Sequence, residues 1–273
     1  MLHRKRRIYF FISRHILPRC LIIAVPLVLI LVSVLFLRHG MPTKAENDHY
    51  GKAENTGPLS SAAEQPETAD TLREWEENTQ GLNIIQQYAV QNDCYTDGKT
   101  IEVKGLMLHS VGCPQPSAQT YAEKFNTAKP NNSEVCPHAF LQSDGTVYQI
   151  LPWNMYGWHA GGASNKTHIG IEMCEPANII YTSDTELYAT SDDAVEYAKG
   201  TYSAAVQLFA ALCIRYSLDP LEEGVIISHT EGFAQGTASG HSDPEHLWQG
   251  LGLSYTMDTF RADVAAAVSA LKG

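Results

Sequence analysis

The sequence predicts an α/β domain with a mixed central β-sheet flanked by helices, preceded by one transmembrane helix. Short apolar runs of strand length alternate with longer stretches of helical spacing, which is the pattern of a sheet covered by helices. A turn signal at Asp144 and Gly145 lies between two β-rich runs and predicts a hairpin, so the sheet is not purely parallel. An apolar run near the amino terminus predicts the membrane helix.

The amino-terminal region is predicted to anchor the chain. Residues 1–19 form a basic cytoplasmic segment, and residues 20–37 are an uninterrupted apolar run of membrane-spanning length. The remainder is then exported across the membrane. A cleaved signal peptide is the lesser alternative. Residues 38–71 are polar and rich in Glu, Ser, Pro and Gly, which predicts a flexible spacer before a folded domain at residues 72–273.

Composition and charge restrict the function of this domain. In the 273 residues the hydrophobic fraction is 44% and the charged fraction 18%, values that permit a sizeable core. Residues 1–38 contain seven basic and no acidic residues, which leaves 12 basic and 30 acidic residues after Arg38, a net charge of −18. Such a domain should repel nucleic acid.

The first half of the domain contains the predicted hairpin and its neighbours. Spacing around residues 72–90 weakly favours a helix or an irregular lead-in, and residues 101–110 are a mostly apolar strand that ends in His109. Residues 117–128 have helical spacing with Ser117 as the N-cap. The hairpin spans residues 138–151, and an aromatic, turn-rich stretch follows it.

The second half alternates strands with longer helices. Residues 168–174 predict a strand with Glu172 near its end, and residues 192–216 predict a long helix capped by Ser191. A short buried strand at residues 225–228 delivers His229 into a glycine-rich loop, and residues 256–271 form a closing helix.

The cysteines allow two interpretations. Five lie outside the membrane segment, an odd number with no CxxC pair, so a cysteine-type zinc knuckle is not supported. Export permits disulfides, and Cys113 with Cys136 is one possible pair, but five buried thiols are equally compatible with the sequence.

Residues 229–248 concentrate histidines, carboxylates and glycines, a composition typical of a site rather than of a core element. Three predicted strands end in His109, Glu172 and His229. Because strand ends and loops converge in α/β sheets, these residues are candidates for one site. No local spacing identifies a metal site by itself.

Five ordered motifs resemble the type 2 family of N-acetylmuramoyl-L-alanine amidases, which are related to peptidoglycan recognition proteins and phage endolysins. They are GLMLHSVGC, HAFLQSDGTVYQILPW, GWHAGG, HIGIEMCEP and SHTEGFAQGTASGHSDPEHLW. The resemblance covers roughly residues 94–271. It implies a mixed sheet flanked by helices, one catalytic Zn²⁺, and cleavage of the amide between the lactyl group of muramic acid and the L-alanine of the stem peptide.

The resemblance also assigns roles to residues. It implies that His109, His229 and Asp243 bind the zinc, which leaves a fourth position open for hydrolysis. Glu172 corresponds to the general base. Many relatives have a lysine two residues before the last ligand, where this chain has His241. His241 is therefore expected to stabilise the oxyanion, and it is also the rival of Asp243 for the third ligand position.

Other residues of the motifs receive different expectations. His159 and Trp158 are predicted to contact the substrate, although the aromatic residues of this stretch, Trp153 and Tyr156 among them, are as compatible with a core role. His138 and His168 are expected to have structural roles, and His246 to pack or to contact a metal ligand without binding the metal itself. Glu175 and Glu231 are alternatives to Glu172 as the base.

The sequence thus predicts a membrane-anchored zinc amidase acting on peptidoglycan, with a monomeric catalytic domain. A peptidoglycan-binding module without activity is one alternative, because the same fold also recognises this polymer without cutting it. A zinc peptidase that acts on the stem peptide is another.

Overall fold

The computed structural model describes residues 68–128 and 135–273. The predicted cytoplasmic segment and membrane anchor, and most of the spacer, lie outside these ranges. Within the described ranges, no helix combines the length and the apolar composition that crossing a membrane requires.

The described residues form seven α-helices, one 3₁₀ helix and eight strands. The helices are α1 (Ala69–Asn78), α2 (Asp93–Thr96), α3 (Ala118–Phe125), α4 (Asp192–Arg215), α5 (His229–Ala234), α6 (Glu245–Gly250) and α7 (Met257–Lys272), and the 3₁₀ helix is Ala163–Lys166. The strands are β1 (Asn83–Gln86), β2 (Gly105–Ser110), β3 (Ala139–Leu141), β4 (Thr146–Gln149), β5 (His168–Met173), β6 (Ile179–Tyr181), β7 (Leu187–Ala189) and β8 (Ile226–Ser228).

Six strands form the predicted mixed sheet, in the order β1-β4-β3-β5-β2-β8. All neighbours are parallel except β3 and β4, the two strands of the predicted hairpin. The remaining two strands, β6 and β7, form a separate antiparallel hairpin. Because β2, β5 and β8 are parallel, their carboxyl ends lie at the same edge of the sheet.

The larger core lies between one face of the sheet and helices α4 and α7. Leu106 and Leu108 of β2 contribute to it together with Phe209 of α4 and Phe260 of α7, all of them buried. Burial of such side chains stabilises the fold by roughly 1.5–3 kcal/mol each. Helix α4 begins with two acidic residues and ends in Arg215, an arrangement that the helix dipole favours.

The opposite face of the sheet carries the chemistry. Side chains alternate along a strand, so Met107 and His109 of β2 point away from α4, on the face opposite to Leu106 and Leu108. Part of this face is covered by α3, where Tyr121 stacks on Phe140 with ring centroids 4.8 Å apart. The edge beyond it remains open and holds the candidate site.

Several element predictions are confirmed with small shifts. Ser117 caps α3 by accepting a hydrogen bond from the Thr120 amide, and the hairpin at Asp144–Gly145 forms as predicted. The strand that ends near His109 begins at Gly105 rather than at residue 101. Ser191 is the N-cap residue of α4, but its side chain makes no capping hydrogen bond and instead accepts from Asn178 Nδ2 at 3.1 Å.

Other features differ from the predictions. Residues 83–86 form the edge strand β1 within the expected lead-in, and the β6–β7 hairpin was not predicted. His229 begins a short helix instead of entering a loop. Cys113 and Cys136, the possible disulfide pair, are not bonded to each other; the first is exposed and the second buried.

Candidate functional site

His109, His229 and Asp243 converge at the carboxyl edge of the sheet. His109 lies near the end of β2, and His229 follows directly after the neighbouring parallel strand β8. His109 Nδ1 lies 3.0 Å from Asp243 Oδ2 and 3.1 Å from His229 Nδ1. His229 Nδ1 lies 3.6 Å from Asp243 Oδ1. The three side chains are buried, and one donor atom from each lies within 4.8 Å of the others.

The hydrogen-bond partners of His109 fix which ring nitrogen faces this centre. His159 Nε2 lies 3.0 Å from the carbonyl oxygen of His168, an acceptor, so this nitrogen carries the proton. His159 Nδ1 is then an acceptor, and it receives the hydrogen bond of His109 Nε2 at 3.0 Å. The Nδ1 atom of His109 is therefore the one directed at Asp243. Such orientation by a second ring of contacts is typical of metal-binding histidines.

Ser239 orients His229 in the same way. Its hydroxyl donates to the carbonyl oxygen of Ala160 at 3.2 Å and accepts from His229 Nε2 at 3.2 Å. The proton of His229 is thus held on Nε2, and Nδ1 faces His109 and Asp243. Both histidines present the same nitrogen to the centre.

A capping box at the start of α5 holds the backbone at His229. The Ser228 hydroxyl accepts from the Glu231 amide at 3.0 Å, and the Glu231 carboxylate accepts from the Ser228 amide at 3.1 Å. Arg261 of α7 donates hydrogen bonds from both of its terminal guanidinium nitrogens to the Glu231 carboxylate, the shortest being 2.9 Å. Glu231, an alternative base in the sequence, therefore has a structural role at the start of α5.

The charges of the centre are strongly coupled. Burial lowers the pKa of His109, but the hydrogen bond to Asp243 and the negative charges of Glu172 and Asp243 outweigh it, so the pKa lies above its usual value. Burial raises the pKa of Asp243, yet its contacts with His109 and His229 hold it below the usual range. Burial and the charge of His109 lower the pKa of His229 to about 4. The cluster thus holds an anionic carboxylate beside a neutral His229.

Glu172 lies directly beside His109, because the two residues are register partners on strands β5 and β2. Among the described residues its Oε2 atom is buried and has no hydrogen-bond partner. Burial raises the pKa of Glu172 to about 7, against the opposing effect of His109. A carboxylate with a pKa near neutrality is suited to accept and return a proton.

A cavity of about 520 Å³ opens onto this centre. The predicted site residues His109, Trp158, His159, Glu172, His229, His241 and Asp243 all line it. The ring of His241 lies 4.6 Å from that of His229, between centroids, and the residue is exposed. Trp158 is 40% exposed and Val135 beside it 40%, so one wall of the cavity is apolar.

His159 lines the cavity but is largely enclosed by other residues. It is buried, both ring nitrogens are engaged, and the ring packs against Gly170, where a Cβ atom would collide with the imidazole. The structure thus gives His159 an orienting contact with His109, while its predicted contact with substrate stays a prediction. Trp153, by contrast, is buried in the core beside Trp75.

The other histidines have structural contacts, as expected. His138 accepts from the Gly170 amide at 3.0 Å and donates to the Met155 carbonyl at 2.7 Å. His168 Nε2 lies 2.9 Å from the carbonyl oxygen of Gly224. Neither residue lines the cavity.

Sequence reasoning missed a second buried cluster beside the centre. Glu175 is fully buried and accepts from the Gly112 amide at 3.0 Å and from the Tyr181 hydroxyl at 2.5 Å. The Tyr181 oxygen lies 2.9 Å from His246 Nε2. Burial raises the pKa of Glu175 to about 7. The cluster joins the loop after β2, the β6–β7 hairpin and α6, and the only sequence signal for it was the acidic residue just beyond a strand.

Comparison with known proteins gives concordant results. Residues 99–246 match the family model described as N-acetylmuramoyl-L-alanine amidase (Amidase_2). The N-acetylmuramoyl-L-alanine amidase XlyA of Bacillus subtilis (strain 168) is 50% identical over 100 residues, 36% of this chain and 33% of that protein. CwlH of the same organism, also named an N-acetylmuramoyl-L-alanine amidase, is 34% identical over 77 residues, 27% of this chain and 30% of that protein. The chain spans about a third of the length of the curated relatives it matches.

A solved structure of the Staphylococcus aureus hydrolase AmiA in complex with its ligand superposes with a TM-score of 0.50. The likeness covers 77% of this chain and 95% of that chain, at 13% sequence identity. At this identity the likeness concerns the fold alone, and it agrees with the mixed sheet flanked by helices described above.

Proposed function

The chain belongs to the N-acetylmuramoyl-L-alanine amidase family, and from this premise we propose that it is a zinc-dependent amidase of peptidoglycan. The bond it cleaves joins the lactyl group of N-acetylmuramic acid to the L-alanine of the stem peptide. The observation that carries the proposal is the convergence of His109, His229 and Asp243 in an open cavity with Glu172 beside them.

The donor set fits zinc. Two imidazoles and one carboxylate are ligands that zinc prefers, and a site with three protein ligands leaves a position open for catalysis. The proton positions also fit, because Nδ1 of His109 and Nδ1 of His229 both face the carboxylate of Asp243 while each Nε2 hydrogen is engaged elsewhere. A zinc ion bound by these three residues would supply Lewis-acid polarisation of the substrate carbonyl and of a water molecule.

Glu172 acts as the general base in this proposal. Its unpartnered Oε2 atom can accept the proton of the attacking water and later return it to the leaving amine of L-alanine. A pKa of about 7 lies close to neutral pH, so the carboxylate can accept a proton and the carboxyl group can give it back. Its register position beside His109 puts it next to the metal ligands.

His241 supports the developing oxyanion. Its ring lies against His229 at the exposed side of the centre, where a substrate carbonyl can approach. A donated hydrogen bond at that point stabilises charge that appears only in the transition state. We expect His241→Ala to lower turnover while the zinc content of the protein is unchanged. Loss of the metal in this variant would instead identify His241 as a ligand.

The cavity walls suit a ligand with both polar and apolar parts. Trp158 and Val135 provide an exposed apolar surface, and aromatic rings of this kind pack against sugar or peptide groups. The polar side of the cavity is formed by the candidate ligands and by Ser242. We propose that the substrate binds across these two sides, with the scissile amide at His109 and Glu172.

The test is hydrolysis of defined muropeptides by the purified full chain in detergent. Mass spectrometry should show separation of the muramic acid residue from the intact stem peptide, with loss of activity after chelation and recovery on addition of zinc. Intact substrate with zinc-loaded protein would favour the binding module without activity. Cleavage within the stem peptide would favour the zinc peptidase.

We also propose that residues 20–37 anchor the chain in the cell membrane, with residues 72–273 on the cell-wall side. The proposal is supported by the apolar run and by the basic residues that precede it. Fractionation of cells should recover the chain with the membranes. Protease added to cells whose wall has been removed should degrade the domain, because it lies on the outer side of the membrane. Recovery of a shortened chain in the medium would indicate a cleaved signal peptide.

A further inference from the structure

The turn of the β6–β7 hairpin carries Asp184 into the lining of the cavity. The turn is well defined by hydrogen bonds. The Thr182 amide donates to the Glu186 carbonyl oxygen at 2.8 Å, and the Ser183 hydroxyl accepts from the Glu186 amide at 3.1 Å. Asp184 itself is exposed to solvent at the opening.

The hairpin is fixed to the remainder of the cavity by the buried cluster around Glu175. Tyr181 at the end of β6 contacts both Glu175 and His246, and Glu175 also binds the amide of Gly112. Gly112 and His246 line the same cavity as Asp184. One buried carboxylate therefore joins three segments of the cavity wall, and the position of the turn relative to the centre is determined by this contact.

Charge distinguishes Asp184 from the other acidic residues of the cavity. The described lining contains three carboxylates, those of Glu172, Asp184 and Asp243, and no lysine or arginine. Asp243 faces two histidines and Glu172 lies beside His109. Within residues 68–128 and 135–273, Asp184 has no ion-pair partner, so its charge is uncompensated at the opening of the cavity.

We propose that Asp184 is a specificity residue that binds an ammonium group of the stem peptide, so that the chain prefers peptides with a free side-chain amino group. This inference rests on the proposed function. The apolar wall at Trp158 and Val135 carries no charge that could bind an ammonium group, whereas Asp184 offers a carboxylate at the opening of the same cavity. A solvent-exposed carboxylate–ammonium pair is weak and screened by salt, so the expected preference is about two- to fivefold.

The test measures binding in the zinc-loaded Glu172→Gln variant, in which we expect the ligand to be hydrolysed too slowly to affect the titration. The probes are N-acetylmuramoyl-L-alanyl-D-isoglutaminyl-L-lysine and the same peptide acetylated on the lysine amino group, titrated calorimetrically. We expect a Kd about two- to fivefold lower for the free amine, with the ratio shrinking between about 50 and about 500 mM salt. Addition of Asp184→Asn should bring the ratio towards one.

Glu186→Gln is the matched control, because it removes the same charge from an exposed residue of the same turn that does not line the cavity. The ratio should survive in this control. A ratio that persists with Asp184→Asn, that is lost equally with Glu186→Gln, or that equals one in the parent would overturn the inference, as would failure of the free-amine peptide to bind. Hydrolysis by the wild-type chain is scored separately, so a binding preference without cleavage would refute the amidase proposal alone.

Discussion

Replacement of Ser239 by alanine tests whether hydrogen bonds outside the centre prepare His229 for a metal. The Ser239 hydroxyl accepts from His229 Nε2 at 3.2 Å. Without this acceptor the ring loses the contact that keeps its proton on Nε2. The form with the proton on Nδ1, which cannot bind a metal through the nitrogen that faces the centre, becomes competitive. The removed group is small, so the ring itself keeps its packing.

The magnitude follows from the kind of contact that is lost. Removing a partner of a metal-binding residue weakens metal binding by about 10- to 100-fold. The bond here is long and joins two neutral groups, so we expect the lower end, about tenfold, or about 1.4 kcal/mol. Competition with a chromophoric chelator would measure the zinc Kd of the purified chain.

Ser164→Ala is the matched control. The Ser164 hydroxyl donates to Thr237 Oγ1 at 3.0 Å, so its removal disturbs the same loop without touching a histidine. We expect the control to bind zinc as the wild type does. An unchanged Kd in Ser239→Ala, or an equal loss in both variants, would refute the argument from proton positions.

Three further predictions concern catalysis and stability. Glu172→Gln should lower kcat by about a hundredfold or more while zinc content is retained, and activity within tenfold of the wild type would remove Glu172 as the base. Burial lowers the pKa of His138 to about 4 from 6.5, so the free energy of unfolding should decrease as pH falls from 6.5 towards 4, by up to about 1.4 kcal/mol per pH unit. Urea denaturation at about pH 7 and about pH 5 should show a smaller decrease for His138→Gln, and equal decreases would contradict this. Gly170→Ala should cost about 1–3 kcal/mol of stability because the new Cβ collides with the His159 ring, whereas Gly240→Ala, which meets only an ordinary contact at 3.5 Å, should cost less in the same thermal unfolding assay.

The main sheet and the candidate site were accessible from the sequence for identifiable reasons. Apolar runs ending in His109, Glu172 and His229 predicted strands whose ends meet, and β2, β5 and β8 do meet in parallel. The register that puts Glu172 beside His109 was not predictable, because strand pairing depends on contacts far apart in the chain. The assignment of Asp243 came from resemblance to a family.

The missed features lack a local signal. Strand β1 has only four residues and no alternation of polar and apolar side chains, and the turn between β6 and β7 contains neither Gly nor Pro. The sequence does not tell which ring nitrogen of a histidine faces a centre, because that depends on acceptors such as Ser239, which only the tertiary fold brings near. Glu175 resembled Glu172 in sequence, and their contacts separate them: Glu175 accepts hydrogen bonds from Gly112 and Tyr181, whereas Glu172 lines the cavity with an Oε2 atom that has no partner among the described residues.

The proposed zinc ligands come from distant parts of the chain, since His109 lies 134 positions before Asp243. An ion held by them would act as a cross-link between the centre of the sheet and the segment that follows α5, at a site that the unfolded chain does not possess. By mass action, a free zinc concentration of about a hundredfold over Kd would stabilise the native chain by about 2.7 kcal/mol. At the proposed location outside the cell, where proteases degrade unfolded chains, the lifetime of the protein would then depend on the zinc supply of its surroundings.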